Sequence, residues 1–131
     1  MKALAKIHSP YKEMTIRRTP NGKLPQLPLN GKWLEELGFT CGTPVVAMFE
    51  DSCLTLTTFD VNTIHYRANV LMVESRLVRG KPRTYLTLDG FLLRRYGFNV
   101  GDRVVLHLSP NMIQISRITN FTLEERDLIG Y

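Results

Sequence analysis

Leu27-Pro28-Leu29-Asn30-Gly31-Lys32-Trp33-Leu34-Glu35-Glu36-Leu37-Gly38-Phe39, followed by Gly42 and Val45-Val46, is the stretch that decides the fold. Shifted by 59 residues it meets Leu86-Thr87-Leu88-Asp89-Gly90-Phe91-Leu92-Leu93, then Gly97-Phe98, Gly101 and Val104-Val105. Between 27–57 and 86–116, nine of 31 positions are identical and no gap is needed. Leu54/Ile113, Leu56/Ile115 and Thr57/Ser116 keep their chemistry as well. Such self-similarity at a fixed shift marks a duplicated unit.

Each shared position has a physical role. Leu-x-Leu alternation makes a half-buried strand. Asn30 and Asp89 stand where a helix N-cap accepts from orphan N–H groups. Short helices are expected over 31–37 and 90–96, ended by Gly38 and Gly97, because a left-handed residue is cheapest as glycine. Phe39 and Phe98 then plug the core, and Gly42 and Gly101 mark a second tight turn. Val45 to Phe49 and Val104 to Leu108 alternate as strands. Turns at Glu50-Asp51-Ser52 and Ser109-Pro110-Asn111 fold them back, as hairpins, onto Leu54-Thr55-Leu56 and Ile113-Gln114-Ile115.

Outside this match the signal weakens. Residues 3–7, 12–18 and 69–78 read as strands, and 19–25 and 79–82 as Pro- and Gly-rich turns. Met14, Arg18, Gly22 and Lys23 share the spacing of Met72, Arg76, Gly80 and Lys81, an echo that needs one gap to join the main match. Thr122 ahead of Glu124, Glu125 and Asp127 is a start signal for a short acidic helix in the tail. Glu35-Glu36 in the first helix match Arg94-Arg95 in the second, so helices facing across a pseudo-twofold axis would oppose their charges.

The organisation expected is one pseudo-symmetric domain, 1–118, from two repeats (about 1–58 and 69–118), with an acidic tail over 119–131. The chain has 131 residues, 44% hydrophobic and 22% charged, an ordinary globular composition. A core of that size needs no disulfide staples. Cys41 and Cys53 read as two small apolar side chains in a reducing compartment, though their separation does not forbid a disulfide. No secretory signal and no apolar run long enough to span a membrane is visible, which predicts a cytoplasmic protein. The net charge is +5, distributed as +2 over 1–57, +5 over 58–117 and −2 over the tail. That balance permits a polyanionic partner without requiring one.

The run from Leu27 to Phe39 with Gly42, and above all Gly31-Lys32-Trp33-Leu34, resembles the SymE toxin-like family. That family looks like a branch of the AbrB/MazE swapped-hairpin proteins, and Leu86 to Ile115, with Gly101-Asp102-Arg103-Val104, looks like a plain AbrB-type element. In such proteins two chains interleave their strands into one small barrel. The resemblance therefore implies a mainly β fold with two short helices, in which tandem swapped-hairpin units form an intramolecular pseudo-dimeric barrel. The second unit and the tail are additions to a single-unit SymE pattern.

The chain reads as a binding module rather than an enzyme. His8, His65 and His107 are dispersed, with no metal-ligand spacing. There is no nucleophile elbow, P-loop or dinucleotide fingerprint, and no cofactor is implied. Helix capping explains Asp89, and Asp60 and Glu74 have no evident partner. A ribonuclease using only basic residues and a histidine, for instance His65 with Arg67, is the enzymatic alternative. The basic residues are more informative. Arg17, Arg18 and Lys23 lie in and after one strand, and Arg76, Arg79, Lys81 and Arg83 occupy the corresponding place in the second copy. On a pseudo-symmetric barrel these would form two patches able to meet phosphates on both sides of a duplex groove. The same residues could instead protect strand edges. Tyr66 and Tyr85 lie near them and could stack on bases. The family resemblance implies DNA more than RNA, with Arg17, Arg18, Arg76 and Arg79 as the carried-over positions. The expectation is thus a DNA-binding regulator or toxin-like component. The alternative is a phage or mobile-element inhibitor that binds a host nuclease, an anti-CRISPR-like protein, which the modest charge and acidic tail also suit. Further association into a homodimer stays open.

Overall fold

The computed structural model describes residues 10–20, 22–59 and 69–118, with only the backbone of Asn69. The expected strand at 3–7 and the acidic tail helix lie outside these residues. The first unit runs β1 (Tyr11–Thr15), β2 (Arg17–Arg18), β3 (Pro25–Gln26), β4 (Leu29–Asn30), α1 (Lys32–Glu36), β5 (Pro44–Glu50) and β6 (Cys53–Thr58). The second runs β7 (Asn69–Met72), β8 (Glu74–Val78), β9 (Lys81–Leu86), α2 (Gly90–Arg95), β10 (Arg103–Ser109) and β11 (Met112–Ile118). The fold is mainly β with two short helices, as expected.

The largest sheet is antiparallel and ordered β1-β10-β11-β6-β5-β7. Its order is a palindrome of the two units. β1 pairs with β10 of the second unit, and β7 pairs with β5 of the first. At the centre β11 pairs with β6, placing Thr55 directly opposite its own repeat equivalent, Gln114. The pseudo-twofold axis passes between these two residues. Two smaller sheets complete the fold: β2-β3, and β4-β9-β8, in which Leu29 of the first unit faces Leu86 of the second.

Inward positions of both units merge into one hydrophobic cluster. Phe39 and Phe98 are fully buried in it, with Leu34, Leu54 and Val45 from one unit and Leu93, Ile113 and Val104 from the other. Ile16 and Val73 break the long edge strands expected at 12–18 and 69–78, and both are buried. Each joins the opposite unit at its glycine turn: Gly101 donates to Ile16 and Gly42 to Val73, both at 2.8 Å. Gly38, Gly42, Gly97 and Gly101 all have positive φ, which is why these corners need glycine.

The repeat equivalence upstream of the helices needs correcting. Ile16 and Val73 make the same contacts, so the structural shift there is 57 residues, not the 58 of the Met14/Met72 echo. The shift returns to 59 because the β8–β9 hairpin is two residues longer than its counterpart. In a strand a one-residue slip reverses every face.

Three further differences from the sequence reading have local causes. Asn30 does not cap α1; Gly31 holds the N-cap position with no side-chain bond. Asp89 does cap α2, accepting from the N–H groups of Phe91 and Leu92. Residues 81 and 82, read as turn, belong to β9, which carries Pro82 on its exposed hairpin end. Among the described residues no ion pair joins Glu35 or Glu36 to Arg94 or Arg95. Glu35 instead accepts from the Thr84 hydroxyl, while Arg94 and Arg95 lie over the rings of Phe91 and Tyr96.

Candidate nucleic-acid interface

The β8–β9 hairpin turns through Arg79 and Gly80, both with positive φ, as a two-residue hairpin loop requires. Directly opposed residues in an antiparallel pair share a face. Arg76 is opposed to Arg83, Glu74 to Tyr85 and Val78 to Lys81, so one face carries Arg76, Arg83 and Lys81 against a single carboxylate. Arg76 lies 4.6 Å above the Tyr85 ring, donates to the Thr87 hydroxyl at 3.0 Å and sits 3.4 Å from the Glu74 carboxylate. Arg83 donates through Nε to the Asn30 side-chain oxygen at 2.8 Å. Asn30 is thus taken up in orienting an arginine from the other unit, which leaves the capping position to Gly31.

Asn30 also borders a shallow groove lined by Lys12, Arg17 and Arg103. Lys12 lies 5.3 Å from the Trp33 ring centre, and the Trp33 indole donates to the Asn30 carbonyl at 2.8 Å. Arg103 pairs with Glu13 across the β1–β10 contact. A second depression is lined by Gly31, Lys32, Glu35 and the Pro82–Thr84 segment. A third shares Pro82 and Arg83 and reaches Arg79 and Lys81.

The structure therefore gathers Arg76, Arg79, Lys81 and Arg83 on one hairpin and brings Arg17 to a groove that Asn30 links to it. Arg18, opposite Pro25, and Lys23, in the turn of the shorter β2–β3 bridge, are exposed on the first unit. The expected duplication of basic positions does not hold. Arg17 faces Gln26 as Glu74 faces Tyr85, so the counterpart of Arg17 is Glu74 and that of Arg18 is Ser75. Arg76 and Arg83 correspond to Thr19 and Leu24. Sequence reasoning missed Lys12, Lys32 and Arg103, which come from three different elements. The exposed position of Lys32, on the polar side of the short helix, was the one signal available.

His107 is exposed and meets the Tyr11 ring edge-on at 4.9 Å. His8, His65, Tyr66 and Arg67 lie outside the described residues. Among the described residues no group of three or more His, Cys, Asp and Glu side chains could hold a metal ion. Cys41 and Cys53 are free thiols; Cys41 is exposed, so it does not fill the apolar role expected of it. No described helix is long and apolar enough to cross a membrane.

These features define an antiparallel β protein of two strand-exchanging units with a cationic hairpin. Residues 11–58 match the family model described as "Toxin SymE, type I toxin-antitoxin system". The match covers β1 to β6, so it is the first unit that is similar to this family. No curated protein and no solved structure gives a significant match.

Proposed function

We propose that the protein is a cytoplasmic nucleic-acid-binding component of a toxin–antitoxin type system, with DNA as its preferred target and AbrB-type proteins as its structural relatives. The observation that carries this reading is the placement of Arg76 directly across from Arg83, with Lys81 beside them. Like charges opposed on one sheet face destabilise the pair. A row of phosphates turns that repulsion into attraction and releases counterions. Arg79 extends the charge to the hairpin tip, Arg17 extends it towards β1, and Arg18 and Lys23 add to the cationic charge of the first unit. Side chains of this kind neutralise phosphates and set orientation; they do not by themselves read bases.

Fluorescence anisotropy with mixed-sequence duplex DNA and with RNA, begun at low ionic strength and followed through added salt, tests the proposal. Binding that weakens steeply with salt is expected. Absent or salt-insensitive binding to both would remove it. A second reading, an inhibitor of a host nuclease, is favoured by Leu77, 76% exposed on the opposite face of the same hairpin. Capture of a stoichiometric nuclease partner free of nucleic acid would support that reading instead.

A further inference from the structure

The two units share a backbone plan, yet their charges do not obey its twofold axis. Three separate depressions carry cations between β1 and the hairpin tip: Lys12, Arg17 and Arg103 line the first, Lys32 and Arg83 the second, and Arg79, Lys81 and Arg83 the third. Asn30 joins the first group to the second by holding Arg83. Of the three carboxylates along this path, Glu13 is paired with Arg103, Glu74 lies 3.4 Å from Arg76 and Glu35 accepts from Thr84.

The symmetry-related path is chemically different. Register places Glu74 where Arg17 stands, Pro44 where Arg103 stands and Leu24 where Arg83 stands. The repeat places Asp89 at the position of Asn30 and Phe91 at that of Lys32. Asp89 is occupied in capping α2, and Phe91 is 65% exposed. At these positions one path carries Arg17, Arg103, Arg83 and Lys32 where the other carries an acid, a proline or an apolar side chain, although Arg94 stands at the position of Glu35.

We infer that the molecule carries a single, one-sided track for one row of phosphates, built from both units, with Lys12, Lys32 and Arg103 as binding residues in addition to the hairpin arginines. This rests on the nucleic-acid reading above and gives it a geometry. From Lys81 to Tyr85, the residue opposite Asn30, the β9 portion alone spans about 13 Å at the usual strand rise, enough to lie along more than one phosphate of a strand. The two phosphate rows of a duplex lie on either side of a groove about 12 Å wide. The matched cations Arg17, Arg103, Arg83 and Lys32 recur on only one of the two symmetry-related paths, so the ligand is a single-stranded nucleic acid, one per chain. The fold brings two halves together to complete one site rather than to present two.

Three proteins test this: the wild type, Lys12→Gln/Lys32→Gln on the track, and Arg94→Gln/Arg95→Gln on α2. The two variants lose the same charge. Affinity and stoichiometry are measured with a labelled mixed-sequence single strand, as DNA and as RNA, and with the matching duplex, over a range of salt. The expected result is one single strand per chain, bound at least as tightly as duplex. The lysine variant should reduce the log–log salt slope for the single strand by about 1.4, at roughly 0.7 per phosphate contact, and the arginine variant should leave it unchanged. Arg79→Gln/Lys81→Gln, at an exposed tip, gives the same slope change should the lysine variant fail to fold. Equal losses from the track and α2 variants, two ligands per chain, or a clear preference for duplex overturns the one-sided track while the nucleic-acid reading stands. A wild type that binds neither form overturns both.

Discussion

Asn111 donates its backbone N–H to the carbonyl of Leu37 at 2.7 Å, closing the end of α1 with a turn from the other repeat. Ser52, its repeat equivalent, does the same for Tyr96 at the end of α2, at 2.8 Å. Terminal helix carbonyls lack intrahelical partners, so a short helix depends on such outside donors. The turn side chains then press on the helix-ending glycines. A Cβ on Gly38 would lie 2.3 Å from the Asn111 Oδ1, and one on Gly97 would lie 3.2 Å from the Ser52 Oγ. The two glycine–phenylalanine corners therefore sit in matching surroundings supplied by the opposite unit.

These contacts rank the glycines. Gly42 has φ of +89° and open space around its missing Cβ. Gly42→Ala should cost only the backbone term, about 1 kcal/mol. Gly97→Ala should cost somewhat more, and Gly38→Ala the most, about 2–3 kcal/mol in total. Asn111→Gly keeps the positive φ of that turn and removes the clashing oxygen. Added to Gly38→Ala, it should restore part of the lost stability. Urea denaturation of the four variants decides this, and a Gly42→Ala loss equal to that of Gly38→Ala would contradict the packing.

The caps separate stability from binding. Asp89→Ala removes both side-chain bonds to the start of α2 and should cost about 1 kcal/mol. Asn30→Ala removes no cap, only the partner of an exposed arginine, and should change stability by less than about 0.5 kcal/mol. It should nonetheless weaken nucleic-acid binding, because Arg83 loses its orientation. Thermal melts paired with anisotropy separate the two effects.

What the sequence made legible and what it hid follow from which interactions are local. Turn glycines, the β5–β6 and β10–β11 hairpins and the buried phenylalanines are set by neighbours along the chain, so the 59-residue match exposed them. The pairing of β1 with β10 and of β7 with β5 is long-range, and no pattern specified it; the family resemblance implied only that the two units interleave their strands. The one-residue error in the Arg18/Arg76 echo arose because similar residue types stood at the wrong register. Pro82 argued against a strand at β9, where its missing N–H falls on an exposed hairpin end. Lys12, Lys32 and Arg103 were invisible as a group because only folding brings them together.

A shared core predicts shared unfolding. Phe39 and Phe98 belong to different units and the same buried cluster. Truncation of either to alanine should cost about 3–5 kcal/mol. Because β1 and β7 are each held by the other unit, one unit cannot open and leave its partner intact. Fluorescence and far-UV circular dichroism should then report a single coincident transition in the wild type. Each variant should move that one transition. A biphasic curve in which Phe39→Ala shifts only one phase would mean that the repeats are independent bodies.

Arg83 provides a case where stability and function should part company. Its guanidinium is exposed, faces Arg76 and has one neutral partner, Asn30. Replacing it by glutamine removes a hydrogen bond and also a like-charge opposition, terms of similar size and opposite sign. Stability should therefore stay within about 0.5 kcal/mol of the wild type. Binding should respond in one direction only, with the log–log salt slope reduced by about one. Arg83→Lys should keep the slope but lose affinity, since a lysine has no planar fork to share between Asn30 and a phosphate. Anisotropy across a salt series, beside a urea titration of each variant, provides both readouts. A large stability loss with unchanged binding would make Arg83 a structural residue and take the centre out of the cationic path.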